Sequence, residues 1–255
     1  MNTRISEIAA AMPVVTLEEI SHLRLMERVD CKYVAPASLL PRLMEQMCPL
    51  FRMQVNGGTG MADYSTQYLD TCDLGMFVMH QNGKLNRQKI RIRSYVGSCL
   101  SFLEIKSKNN KGRTSKQRIP VCCAHLSAID ELPAEGKLFL DTRALVCCEA
   151  LEPALSNKFR RMTFVNNRDT ERVTIDLHLS FLNHRTGREA AVEGLMILEL
   201  KQDGRQESDF REILHRERIK PVAFSKYCMG TVLTNPGAKY NRFKSRWAAI
   251  NKLIG

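Results

Sequence analysis

The chain has 255 residues, is 44% hydrophobic, and carries 38 Lys and Arg against 27 Asp and Glu, for a net charge of +11 and a pI near 9.3. That apolar content can bury a sizeable core, no stretch approaches the ~20 apolar residues of a membrane span, and the charge favours a polyanionic partner. The nine cysteines form no CxxC, which excludes the usual zinc spacing and fits a reducing cytoplasm, while one Trp and six Tyr speak against a surface that stacks single-stranded bases.

In chain order, Thr16-Leu-Glu-Glu19 reads as a capping box opening a short helix with Leu17, Ile20 and Leu23 on its apolar side. A strand is expected over Met26 to Val34. An amphipathic helix follows over Ser38 to Cys48, with a core stripe of Leu39, Leu40, Leu43, Met44 and Met47. The Gly-rich turn at 56–60 has no following Gly-Lys-Ser/Thr and is no phosphate loop. Tyr64 to Asp70 reads as a strand, Leu74 to His80 as a helical turn, and Asn82-Gly83 as a hairpin signal.

Further strands are expected over Ser98 to Ser107 and Thr114 to Val121. Residues 124–152 look helical, punctuated by Pro133 and Gly136. A second hairpin joins Lys158 to Val165 and Glu171 to Leu179. Leu195 to Lys201 is a strand. A charged amphipathic helix runs from Ser208 to about Arg218, and a last helix over Phe224 to Leu233 is ended by Asn235-Pro236-Gly237. The expected organisation is an N-terminal helical extension (1–23), one main domain (24–235) and a basic, helical C-terminal tail (236–255).

The most informative segment is Asn86-Arg87-Gln88-Lys89-Ile90-Arg91-Ile92-Arg93-Ser94-Tyr95. In a strand, Arg87, Lys89, Arg91 and Arg93 share one face, while Gln88, Ile90, Ile92 and Ser94 can pack on the other. Same-face neighbours sit about 7 Å apart, so the cations repel one another unless an anion or carboxylates lie among them. A solvated, aggregation-resisting edge strand is the bland alternative, but Arg suits bidentate phosphate contacts and Lys is the usual edge protector. Later strands repeat the logic: Glu104, Lys106 and Lys108 share a face, as do Lys116 and Arg118, then Arg172, Thr174 and Asp176, then Glu199 and Lys201. Either an antiparallel sheet with one wet face or a barrel with polar residues lining an interior tunnel satisfies this pattern. A tunnel rich in cations with a few carboxylates suits a metal-bound polyphosphate.

The motifs Arg28-Val-Asp30-Cys-Lys32-Tyr33, Tyr68-Leu-Asp70-Thr71, Arg87-x-Lys89-Ile-Arg91-Ile-Arg93-x-Tyr95, Phe102-Leu-Glu104-Ile-Lys106, Lys116-Gln-Arg118, Leu198-Glu199-Leu-Lys201 and Phe224-Ser225-Lys226-Tyr227 resemble, in the same order, those of a VTC (vacuolar transporter chaperone) domain. That domain belongs to the CYTH-like triphosphate tunnel metalloenzymes, and the likeness spans about residues 24–232. It implies an α+β fold with an antiparallel tunnel barrel and helices packed outside. It also implies polyphosphate synthesis from ATP with Mn2+ or Mg2+, ATP and inorganic polyphosphate as partners, and no nucleic acid. Carried over by motif, Lys32, Arg91, Arg93, Lys106 and Arg172 are the expected catalytic cations. Arg87, Lys89, Lys116, Arg118, Arg161, Lys201, Ser225 and Lys226 are the expected phosphate or nucleotide contacts, with the register between Arg160 and Arg161 open. Glu199, with Glu104 as a further candidate, is the expected metal ligand, against the plainer reading that Glu199 pairs with Lys201 or Arg172. Two departures stand out: polymerising members often have Lys where this chain has Ala223, and the two-glutamate-plus-lysine signature of CYTH triphosphatases is not intact around Glu27 to Lys32. A tunnel hydrolase or a non-catalytic polyphosphate or nucleotide sensor would use the same residues.

Overall fold

The structure, a computed structural model, describes residues 3–20, 28–204 and 207–254. The elements are α1 (Thr3–Ala11), β1 (Val14–Thr16), β2 (Arg28–Pro36), α2 (Leu40–Met47), β3 (Phe51–Val55), β4 (Met61–Thr71), α3 (Gly75–Gln81), β5 (Arg87–Tyr95), β6 (Leu100–Lys108), β7 (Thr114–Val121), α4 (Ala134–Arg143), β8 (Leu151–Asn166), β9 (Glu171–Asn183), β10 (Glu189–Val192), β11 (Leu195–Asp203), α5 (Asp209–Arg216), α6 (Lys226–Thr234) and α7 (Asn241–Ile254).

One sheet of the order β2-β11-β9-β8-β4-β5-β6-β7 forms the wall, with β10 added beside β9 and β3 beside β8. Every pairing is antiparallel except the short β1–β3 contact. No β2–β7 ladder is present among the described residues. Instead, a cavity of about 510 Å3 lies between Asp30 to Lys32 of β2 and Lys106, Lys108 and Thr114 of β6 and β7. The wall therefore curls until its two ends face one space. This is the expected α+β tunnel architecture.

The two faces of the wall are chemically distinct because side chains alternate. On the outer face, Met162, Phe164, Val173, Ile175, Leu198 and Leu200 pack with Leu40, Leu43 and Met44 of α2 and Phe210 and Leu214 of α5. Further round, Leu69, Ile90, Ile92, Leu103 and Ile105 pack with Leu140 of α4. On the inner face, Leu155, Phe159, Leu179 and Phe181 receive Tyr227, Cys228 and Met229 of α6. Gly230 makes that approach possible: a Cβ there would lie 2.4 Å from Phe181 and 2.6 Å from Leu155.

Two motifs read in the sequence meet at this helix. Buried Asp70 accepts from the Tyr227 hydroxyl and from the backbone N–H groups of Met76 and Phe77 at the start of α3. These motif residues fasten α6 and α3 to the wall and do not face the cations.

Several expectations need correction. The helical reading of 124–152 holds only for α4, which starts after Pro133. The rest holds two single 3-10 turns, Ile129–Glu131 and Cys148–Ala150, the first two residues of β8, and irregular chain pinned by side-chain amides: Gln67 donates to Leu126 O and accepts from Leu126 N, both at 2.8 Å. Gln88 accepts from Leu145 N at 2.7 Å and donates to Arg143 O at 3.0 Å. Asn82-Gly83 is no hairpin; it ends α3, with Gly83 at φ 70° and its N–H donating to His80 O. β1, β3 and β10 had no sequence signal strong enough to name. The hydrogen bonds of the capping box form, with Thr16 N to Glu19 Oε2 at 2.7 Å and Glu19 N to Thr16 Oγ1 at 3.2 Å, but residues 17–20 make a turn rather than a helix among the described residues, and Leu17 is exposed while Ile20 is buried. Leu23 and the start of the expected first strand, residues 26–27, fall outside the described residues.

Candidate functional site

Strand alternation places Lys89, Arg91 and Arg93 of β5 on the inner face, and their register partners there continue the row. Arg91 lies opposite Glu104 and Tyr68, and Arg93 opposite Phe102 and Thr66. From the other side of the wall come Arg161 opposite Asp176, and Glu199 opposite Lys32. α6 brings Ser225 and Lys226. Most of the cations singled out in the sequence thus converge on one interior.

Three carboxylates organise them, two buried and one partly exposed on the cavity. Glu104, 1% exposed, accepts from Arg91 Nε at 2.8 Å and meets Lys116 Nζ at 2.5 Å. Burial alone would raise its pKa, but Arg91, Arg93 and Lys116 outweigh that and hold it at about 2. Asp176 takes Arg161 in a two-bond fork at 2.5 and 2.8 Å and also receives Lys226. Burial again opposes the charge, and the two cations keep its carboxyl well below the usual carboxylate range. Glu199 meets Lys32 at 2.8 Å, and Lys32, Lys201 and Arg161 together overcome burial to keep it ionised. Lys32 is thus a partner of Glu199 beyond the two, Lys201 and Arg172, that the plainer sequence reading named.

Other cations have no carboxylate in contact among the described residues. Lys89 donates to Ser225 Oγ at 3.0 Å, and burial with the nearby Lys106, Arg87 and Arg91 charges brings its ammonium down to about 8. Arg93 reaches only Thr66 Oγ1, at 3.5 Å, and the face of Tyr64 at 5.8 Å. Burial, then Arg91 and Arg161, pull its pKa down to about 10. Lys106 is likewise lowered by burial. Lys32, Lys89, Lys106, Arg87 and Glu199 line the cavity, with Ser225 on its wall.

The remaining candidates sit apart. Arg118 is exposed on β7 and stacks over Phe102 at 4.4 Å. Arg172, opposite Lys201 in register, points toward Ile20 O at 3.5 Å. The open register resolves structurally: Arg161 faces inward to Asp176, while Arg160 meets the exposed Asp63 at 3.3 Å. Ser225 caps α6, accepting from Cys228 N at 3.3 Å. Sequence reading placed Asp176 on the right face but did not see it as the centre of a charge cluster. The signal was its position two strand residues from Thr174 and four from Arg172, all on one face.

A divalent metal has limited purchase on these side chains. Among the described residues no group of three or more His, Cys, Asp or Glu could cage one. Glu104 is buried between Arg91 and Lys116, away from the cavity lining, and does not fit a ligand's role. Glu199 lines the cavity and could supply one carboxylate if Lys32 yields. Mg2+ and Mn2+ are commonly held that way, by one or two carboxylates plus substrate phosphates and water.

A profile of the VTC domain matches residues 27–235. No curated protein sequence matches the chain. Among solved structures, a Bacillus halodurans protein described as a candidate adenylate cyclase is 17% identical with a TM-score of 0.51, covering 78% of this chain and 96% of its own. A Hippeastrum protein, described as a candidate adenylyl cyclase that reveals a dominant triphosphatase activity, is 12% identical with a TM-score of 0.49, covering 82% and 97%. The first of these likenesses speaks for the fold alone.

Proposed function

Because the chain belongs to the VTC domain family, we propose that it is a polyphosphate polymerase that transfers the ATP γ-phosphoryl group to a growing polyphosphate chain inside the cationic interior. The observation that carries this reading is the set of inner-face cations left without a carboxylate, Lys89, Arg93 and Lys106, beside cations already fixed by Glu104, Asp176 and Glu199. Such an arrangement is electrostatically incomplete until a polyanion enters.

In this reading Arg91, Arg93 and Lys106 grip the triphosphate, with Lys32, Arg161 and Lys226 on the facing wall. The terminal oxygen of the acceptor chain forms a new P–O bond to the γ-phosphorus as the bond to the β–γ bridging oxygen breaks, and ADP leaves with that oxygen. An ionised phosphate is already a competent nucleophile, so positioning and charge stabilisation carry the rate and no general base is required. A divalent Mn2+ or Mg2+ ion held by Glu199 and the phosphates would neutralise charge on the transferring group.

The test is product analysis with ATP and Mn2+. Long polymer with stoichiometric ADP, and loss of any initial lag on adding short polyphosphate, is expected. Orthophosphate without polymer would replace this reading with a tunnel hydrolase, toward which the Ala223 departure leans. Glu199→Gln should abolish metal-dependent turnover while melting changes little, and full activity in that variant would remove Glu199 from the metal's side.

A further inference from the structure

Asn157 of β8 is 1% exposed, and neither its Nδ2 nor its Oδ1 has a hydrogen-bond partner among the described residues. A buried amide in that state is costly, so such groups are few and call for an explanation. Its direction is fixed by alternation. Its neighbours Ser156 and Lys158 face outward, where Ser156 bonds His184 at 2.8 Å. Asn157 shares the inner face with Phe159 and Arg161 on its own strand. Across the ladders it lies opposite Phe181, which packs on α6, and opposite Thr66.

Thr66 is also the register partner of Arg93. One rung of the inner wall therefore reads Phe181, Asn157, Thr66, Arg93, Phe102. This rung has a guanidinium without a carboxylate and an amide without a partner, and it contains no anion. The strands carrying Asn157 and Arg93 are two ladder spacings apart, about 10 Å. They do not bond each other, and a small group bound above Thr66 would lie within reach of both.

We propose that Asn157 is a binding residue for the innermost phosphate of the polyanion. Its amide N–H donates to a non-bridging oxygen that Arg93 holds from the other side, and the Thr66 hydroxyl lies below. The unbalanced Arg93 charge is what selects an anion over a neutral ligand here. This rests on the triphosphate reading above and names a residue that neither the sequence motifs nor the ion pairs single out.

The experiment measures tripolyphosphate binding to the full chain by calorimetry, alongside thermal melting. Asn157→Leu keeps the volume and removes the orphaned amide. It should melt at or above the wild type, yet bind tripolyphosphate about tenfold or more weakly. Asn157→Asp gives Arg93 a carboxylate of the same shape, and should keep the melting temperature while weakening binding further than Leu does. It also serves if the Leu variant does not fold. Arg93→Met with Asn157→Leu should lose less than the sum of the two single losses, because both hold one group. Wild-type affinity in both Asn157 variants, with binding lost in Arg93→Met, would overturn the assignment while leaving the functional reading intact. A wild-type chain that binds no tripolyphosphate would overturn both.

Discussion

Two stretches of the same inner wall carry buried cations, and they are built in opposite ways. Around Asp176, the carboxylate binds Arg161 from β8 and Lys226 from α6, tying two strands and a helix together. Along β5, Lys89 and Arg93 have no carboxylate in contact among the described residues, and meet instead the hydroxyls of Ser225 and Thr66 and the ring of Tyr64. Arg91, between them, is claimed by Glu104. The first stretch spends its charge on the protein's own architecture. The second leaves charge for something that comes from outside. A count of cations therefore says little about binding until the carboxylates have been assigned.

The largest effect should come from breaking the satisfied stretch. Asp176→Asn leaves Arg161 and Lys226 buried without their counter-charge, and should cost about 3–5 kcal/mol of stability in denaturant unfolding. A loss within error of zero would mean the cluster is not structural. Next, Arg93→Met should weaken tripolyphosphate binding by about 1.5–3 kcal/mol, the worth of a charge-assisted contact, without lowering the melting temperature. If it destabilises as Asp176→Asn does, the contrast between the two stretches collapses.

A pH series sharpens the same contrast. Lys89 has a pKa near 8 in the folded chain, below the 10.5 of a free lysine. Between those values the unfolded chain binds the extra proton, so this group adds stability as pH rises from about 8 toward 10.5, and none below 8. Ligand binding runs the other way: tripolyphosphate affinity should fall as pH rises through about 8, with proton uptake on binding measurable by calorimetry in two buffers. Lys226 is also brought down to about 8 by burial, so Lys89→Met should reduce that dependence without removing it; an unchanged profile would assign it to Lys226. The smallest effect is reserved for Tyr227→Phe. It removes one hydroxyl from Asp70 and should cost about 0.5–1.5 kcal/mol of stability with tripolyphosphate binding unchanged. A binding loss there would show that α6 reports on the ligand.

Period-two alternation made the wall legible: β5 appears at Arg87–Tyr95 and β7 at Thr114–Val121, as the residues read. The outer face followed, since Ile90, Ile92, Val173, Ile175, Leu198 and Leu200 are all buried. What alternation cannot supply is partnership across ladders. Glu104 and Glu199 both read as carboxylates on a cationic face, yet one is enclosed by Arg91 and Lys116 and the other lies open on the cavity, because register between distant strands decides it. Gln88 read as a packing residue, but its amide also holds the chain after α4. Residues 124–152 misled because side-chain amides replace regular backbone pairing there. Asn157 was invisible, since an isolated Asn in a strand carries no pattern.

The position of α6 also has a consequence for how the chain acquires its shape. The helix that fills the curve of the wall is residues 226–234, and its Tyr227 contact with Asp70 spans 157 positions of sequence. Strands β4 to β9 can pair earlier, but their inner face stays uncovered until this late segment arrives. Long-range closure of that kind slows folding. A ribosome-bound chain stalled before residue 226 should therefore hold the wall with its apolar end open and protease-sensitive, and should become resistant only when α6 emerges and docks.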